Sequence, residues 1–442
     1  MFKDLFLGID LGTSGCRVVA IDETGVAVGR SHASLPSPRR QGEAVEQDPT
    51  QWWQAVQQAL QSLFASVPAS AVRALAVDGT SGTVLLVDAK GNPLTPALLY
   101  NDSRSRTEAR TIAEQAPSDS GAFGATSSLA KLLHLQTRPE ASQAAYLLHQ
   151  ADWIAFRLGA RLGLSDENNC LKTGYDPRRR EWPAWLEQVG ARYELLPSVV
   201  PPGTIIGPVH PAQVEAFGIP PQAVLVAGTT DSIAAFLATG AGKPGDAVTS
   251  LGSTLALKVA SERPLFSAKY GVYSHRLGNL WLAGGASNSG GAVLGQYFTQ
   301  AQLDEMTPQL RPQQPTGLNY YPLPAQGERF PIPDSQYPPR LTPRPPDDLT
   351  FFQAILEGIA HIEAQGYRQL QALGAPFPGL VKTTGRGAHN PAWIQIREQI
   401  LKVPVTMASE TEAAYGSALL AHQALTCSSG TATLCPYLDN FR

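Results

Sequence analysis

Asp10 ends an apolar run, Leu5 to Asp10, and is followed at once by Leu11-Gly12-Thr13-Ser14 and a second apolar run from Cys16 to Asp22. Strand, Gly/Thr/Ser turn and strand make a hairpin. Its tip offers backbone N–H groups and hydroxyls with little side-chain bulk, which suits a phosphate oxygen. Val248 to Ala260 has the same shape, with Leu251-Gly252-Ser253-Thr254 opposite Leu11-Gly12-Thr13-Ser14. Two such turns in the two halves of one chain predict a duplicated domain that closes on a nucleotide from both sides. A carboxylate at Asp10 is well placed to hold Mg²⁺, directly or through water, beside the phosphates. The alternative is that Asp10 caps the turn by accepting its N–H groups. Thr254 could offer hydroxyl and N–H to a terminal phosphate, or could simply be a β-former at a strand start.

Asp231 follows Gly228-Thr229-Thr230, after the apolar run Ala223 to Ala227, and precedes a helical Ser232 to Phe236. A lone carboxylate at a strand C-terminus and helix N-terminus lies where α/β proteins form ligand sites. Phosphorylating an alcohol needs a base to accept or orient the hydroxyl proton, and one such Asp meets that need. An N-cap fits the spacing equally well. Gly385-Arg386-Gly387-Ala388-His389-Asn390 is a glycine-containing turn ahead of a helix. It lacks the third glycine of a dinucleotide fingerprint, which argues against a Rossmann dehydrogenase. A flat adenine ring could lie on it, or it could be a plain loop-to-helix junction. No P-loop exists, because Gly242-Lys243 runs into Pro244. Any nucleotide site must be of the hairpin type.

These residues need elements to carry them. Further strand-like runs are Arg73 to Val77, Val84 to Asp88, Ala247 to Leu251 and Leu255 to Val259, with helical patterns between, so the class is α/β. Asp48-Pro49 opens a helix through Trp53, Val56, Leu60 and Leu63. Asp347 to Leu373 is a long amphipathic helix, Asn390-Pro391 opens another, and Ser409-Glu410-Thr411-Glu412 reads as a capping box before Ala413 to Leu425. Arg311 to Pro346 is rich in Pro and predicts an irregular but ordered excursion on the second domain. The expected division is residues 1–238, then 239–408, with the last helix, 409–442, crossing back to the first domain.

At 442 residues, 43% hydrophobic, the chain predicts two domains, and a formal charge of −3 predicts no nucleic-acid or membrane surface. No apolar run approaches the roughly 18 residues that span a bilayer. Met1-Phe2-Lys3-Asp4 leads straight into the first strand without a signal-peptide pattern, and Cys16, Cys170, Cys427 and Cys435 make no metal pattern. A cytoplasmic protein with reduced thiols is the expectation. Its oligomeric state is not legible.

The order of these pieces resembles the FGGY family of carbohydrate kinases across nearly the whole chain. Gly8 to Ser14 is similar to the family's first phosphate motif, and Leu251 to Thr254 to its second. Glu46-Gln47-Asp48-Pro49 with Trp52-Trp53, Lys131-Leu132-Leu133 and Gly327-Glu328-Arg329-Phe330-Pro331 resemble further family segments. Gly228 to Asp231 resembles the stretch carrying the catalytic aspartate, and Gly385 to Trp393 the adenosine motif. His134 stands where the family usually has Trp, and Arg386 where it usually has Gly. Val77-Asp78-Gly79-Thr80-Ser81-Gly82-Thr83 replaces the G-Q-M-H-G-like sugar segment of typical xylulokinases. That segment, followed by Tyr100 to Arg104, looks like the compact pentulose kinases of cyanobacteria and plants.

The resemblance implies two duplicated ribonuclease H-like (actin/Hsp70-like ATPase) domains with an interdomain cleft that closes by a hinge. It implies ATP and Mg²⁺ as cofactors and a small sugar as partner. Asp231 would take the proton of the C5 hydroxyl, and Asp10 would position Mg²⁺ and touch the sugar or the γ-phosphate. Gly12, Thr13, Ser14, Gly252, Ser253 and Thr254 would hold phosphate, and Gly385, Gly387 and Asn390 the adenosine. Ser81 and Asp102 are the sugar-contact candidates. The implied substrate is D-ribulose, with D-xylulose the nearest rival. A non-catalytic actin/Hsp70-like ATP-binding switch is the rival from another class.

Overall fold

The computed structural model describes residues 4–426. Cys427, Cys435 and the part of the last expected helix beyond Thr426 lie outside the described residues. Two compact units make up the chain: residues up to Ala238 together with those from Glu412, and Thr239–Thr411.

The first unit is built on a six-stranded sheet in the order Ile205–Pro208, Val224–Val226, Val72–Gly79, Leu5–Leu11, Gly15–Asp22, Ala27–Ser34. Leu5–Leu11 pairs parallel with Val72–Gly79 and antiparallel with Gly15–Asp22. All seven of its residues are buried, which explains a run apolar on both faces. Alternation along the strand decides what each face meets. Leu5, Leu7 and Ile9 join the core under helix Pro49–Phe64, which Asp48 caps by accepting Thr50 N–H. Phe6, Gly8 and Asp10 face the other way, toward helix Ala413–Thr426, where Phe6 meets the His422 ring edge-on at 4.6 Å. Gly8 is obligatory there, since a Cβ would sit 1.8 Å from Ala414 O. A second, five-stranded sheet in this unit comprises Arg39–Gln41, Ala44–Gln47, Ala97–Leu98, Val84–Val87 and Tyr146–His149 in that order.

The second unit repeats the plan. Its sheet runs Tyr273–Leu277, Leu280–Ser287, Leu255–Ser261, Asp246–Leu251, Leu380–Thr384, Val405–Met407. In both units a hairpin and a third antiparallel strand lie on one side of the first strand, and two parallel strands on the other. The Pro-rich stretch after Arg311 is ordered: Tyr320, Tyr321, Leu323 and Phe330 enter the second core. Helix Asp348–Ala372 holds it through Gln353, which accepts Arg311 N–H, and Glu357, which accepts Thr316 N–H.

Two local expectations need correction. The terminal helix starts at Ala413, so the box from Ser409 to Glu412 does not cap it in the expected register. The Glu412 carboxylate is taken instead by Arg30 of the strand Ala27–Ser34. Asp231 is not the cap of its helix either, because the Thr230 carbonyl accepts Ile233 and Ala234 N–H and Asp231 is the first helical residue.

Candidate functional site

Three carboxylates gather at the C-terminal ends of the parallel strands of the first unit. Asp10 and Asp78 are register partners on adjacent strands, and Thr230, one residue before Asp231, bridges to Gly79 at the end of the same strand. Asp78 is fully buried. Its Oδ2 accepts the Ser417 hydroxyl at 2.5 Å, while Oδ1 has no hydrogen-bond partner. Burial pushes its pKa well up, and the charges of Asp10 and Asp231 push it further. Asp10 is also raised, chiefly by burial, against the pull of Asp78 and of Arg17, whose Nη1 lies 3.3 Å from its Oδ2. Asp231 is partly exposed, and its Oδ1 accepts Ser232 N–H at 2.5 Å. Asp78 and Arg17 were not among the sequence candidates. The available signal was a lone acid near the end of an otherwise apolar strand, the same signal that marks Asp10.

This arrangement concentrates negative charge and leaves a buried acceptor atom unmatched. Among the described residues no group of three or more His, Cys, Asp or Glu side chains is arranged to hold a metal ion. A Mg²⁺ held by one or two carboxylates and otherwise by phosphate and water fits these groups; a cage made of protein alone does not.

The two hairpin tips are alike. Gly12 N–H donates to Gly15 O at 3.0 Å, and Gly252 N–H to Thr254 O at 3.2 Å. Ser14, Ser253 and Thr254 are exposed, and Gly12, Thr13 and Gly252 partly so. A Cβ at Gly12 would come no nearer than 3.6 Å to the chain, and one at Gly252 no nearer than 3.9 Å. Packing within the protein therefore does not demand glycine at either tip. A group approaching from outside would, and a phosphate oxygen is such a group. The second tip is buttressed from behind. Gly291 and Ala292 N–H donate to the carbonyls of Gly252 and Ser253, and Leu255 N–H to Ser289 O. Glu328 holds that backing loop by accepting Ser287 Oγ at 2.5 Å and Asn288 N–H at 2.8 Å.

Beside this tip the second unit contains a cavity of ≈ 880 Å³, within the roughly 300–1,000 Å³ of small-molecule sites. Gly252, Ser253, Arg386, Gly387 and Asn390 line one part, and Phe298, Phe352 and Trp393 supply apolar wall. Gly385 has φ +82°, and a Cβ there would lie 2.6 Å from Leu251 O, so glycine lets this loop lie on the strand that carries the tip. Asn390 Oδ1 accepts Trp393 N–H and so caps helix Pro391–Leu401. Arg386 Nη1 reaches Gln300 Oε1 at 3.5 Å, both residues lining the cavity.

The remaining candidates lie where strand Val72–Gly79 ends. The turn Thr80 to Thr83 is fixed by Gln150, whose Oε1 accepts Thr80 N–H and Oγ1, and by Thr83 Oγ1, which accepts Tyr100 N–H. Ser81 Oγ is enclosed and without a hydrogen-bond partner. Asp102 differs in kind. It is fully buried, Oδ2 accepts Val45 N–H at 2.7 Å, and both oxygens accept Arg104 Nε at 3.0 Å. Its acceptors are committed to the protein, which leaves it a structural post rather than a surface for a sugar hydroxyl. His134, the other departure from the family pattern, pairs with Glu108 at 3.2 Å.

Comparison with known proteins agrees with this geometry. Residues 5–238 match the N-terminal domain of the FGGY family of carbohydrate kinases, and residues 247–425 its C-terminal domain. The chain is 28% identical to the xylulose kinase of Escherichia coli over 414 residues, 90% of this chain and 84% of that protein. It superposes on a xyloylose kinase from Brucella ovis with a TM-score of 0.87 at 26% identity, covering 96% and 91% of the two chains. Plasmodium falciparum glycerol kinase with ADP shares the fold at a TM-score of 0.84 and 16% identity, covering 96% and 90%. Among the described residues no helix is long and apolar enough to cross a membrane.

Proposed function

The chain belongs to the FGGY family of carbohydrate kinases, and from that premise we propose that it transfers the γ-phosphoryl group of ATP to the C5 hydroxyl of a pentulose. Kinases of this family use ATP with Mg²⁺. The carrying observation is the pair of glycine-tipped hairpins whose glycines the chain's own packing does not require. The tips at Gly12-Thr13-Ser14 and Gly252-Ser253-Thr254 hold phosphate oxygens, and the loop Gly385 to Asn390 lines the nucleotide cavity. Asp231 accepts the proton of the sugar hydroxyl as that oxygen bonds to the γ-phosphorus and the bond to ADP breaks. Asp10 is the residue to hold Mg²⁺, which when bound neutralises charge on the phosphates. Arg17 Nη1, 3.3 Å from Asp10 Oδ2, orients that carboxylate, and Asp78 is its register partner on the adjacent strand.

The sugar is D-xylulose on the names of the relatives reported above, which favour it over the D-ribulose read from the sequence. D-ribulose stays as a second reading on one observation. The turn at Thr80-Ser81 is built of small hydroxyl residues and pinned by Gln150, unlike the bulkier segment of typical xylulokinases. A coupled ADP-release screen with Mg-ATP against D-xylulose, D-ribulose, their L-forms and glycerol separates the two by kcat/KM. Nucleotide binding with no sugar-stimulated ADP release would overturn the transfer reading in favour of a non-catalytic switch.

A further inference from the structure

Lys131 sits in helix Ser128–Leu135 and is fully buried. Its ammonium donates to two backbone carbonyls, Gly82 O at 2.7 Å and Leu99 O at 2.6 Å. A buried lysine is costly, because the charge loses water that two carbonyls replace only in part. Burial accordingly pushes its pKa down to about 7, with Asp102 opposing and Lys172 and Arg104 adding to the shift. Methionine would fill much the same space without that cost. The position thus carries a charge that packing alone does not explain.

What the ammonium ties together gives the explanation. Gly82 follows Ser81 directly, and Leu99 begins the turn to Asp102, whose N–H donates back to Leu99 O at 2.9 Å. The two turns approach each other in one further place, through Thr83 Oγ1 and Tyr100 N–H. Ser81 Oγ and Asn101 Oδ1, one on each turn, are enclosed polar atoms without protein partners. We propose that Lys131 is a positioning residue for the acceptor sugar, clamping the Thr80–Thr83 turn to the Leu99–Asp102 turn so that Ser81 meets the substrate at a fixed place. This rests on the reading that the sugar lies beside Ser81.

The test compares Lys131→Met, Lys131→Gln and Ser81→Ala in the full-length enzyme, with KM for sugar, KM for ATP, kcat and cooperative unfolding measured for each. Lys131→Met should raise the sugar KM on the order of tenfold or more and leave the ATP KM nearly unchanged. Lys131→Gln, whose amide keeps two N–H donors, should recover part of that loss. A packing role predicts the reverse order, with Met the milder change. A folded Lys131→Met with an unchanged sugar KM overturns the clamp while a raised sugar KM in Ser81→Ala preserves the sugar subsite. If neither variant moves the sugar KM, both readings fall. Should Lys131→Met not fold, Lys131→Gln carries the comparison, and equal losses for sugar and ATP would show a general folding role and overturn the proposal.

Discussion

Asp10 and Asp78 stand side by side on parallel strands, and the fully buried Asp78 can keep that place only by staying neutral or by gaining a cation. The Ser417 hydroxyl, on helix Ala413–Thr426, donates to Asp78 Oδ2. Burial raises the proton affinity of both acids, and Asp10 is drawn back toward its charged form by Arg17.

The pair makes stability pH-dependent. Because Asp78 is raised above its ordinary value of 3.8, the folded state holds a proton that the unfolded state has released. Its contribution is full below the ordinary carboxylate range and is lost as pH rises through the folded value. Asp78→Asn stays neutral throughout. Without nucleotide, its unfolding midpoint should climb relative to the parent as pH is raised from about 4 to 8. Parallel curves would show that Asp78 ionises as freely as an exposed acid.

Lys131 gives the opposite slope. With its pKa down to about 7 from 10.5, the unfolded chain binds a proton between those values that the folded chain does not. Stability therefore rises with pH across that window in the parent. Lys131→Met should lack this rise. Thermal melts at pH 7 and pH 10 decide it, and an equal response of both proteins would mean that the buried amine keeps its ordinary affinity for protons.

Asp231→Asn should lower kcat by about 10²- to 10⁴-fold, the usual size of a lost general base. Calorimetry should still find ATP bound with near-parental affinity. A kcat within a few-fold of the parent would remove Asp231 from the chemistry.

Glycines separate binding from folding. Gly12→Ala and Gly252→Ala meet no close atoms, so they should cost under about 1 kcal/mol of stability while raising the ATP KM substantially. Gly385→Ala combines a positive φ with a 2.6 Å contact and should cost about 1–3 kcal/mol. Denaturant melts alongside ATP titrations tell these apart, and equal stability losses at all three positions would contradict the assignment of the tips.

The hairpins were legible in the sequence because a Gly/Thr/Ser turn between two apolar runs has few other solutions. Helix Pro49–Phe64 was legible because Asp48 caps it locally, through a bond only two residues long. What the sequence hid was set by distant partners. Asp78 becomes significant through its register with Asp10 and its bond to Ser417, 339 positions away. Glu412 looked like part of a capping box until Arg30, 382 positions away, claimed it. Asp102 looked available to a ligand because nothing local shows that Val45 and Arg104 use both its oxygens. Local hydrogen bonds are readable from spacing; the ownership of a buried carboxylate is not.

The helix Ala413–Thr426, laid against Gly8 of the first strand, carries a consequence for synthesis on the ribosome. At about 5–20 residues per second, the groove over Gly8 waits roughly 20–80 s for the segment that fills it. The contiguous stretch Thr239–Thr411 has its own core and can close during that interval. The unit begun before Thr239 is thus completed only after Thr239–Thr411 has been made, and strand Leu5–Leu11 lacks its helical cover until then.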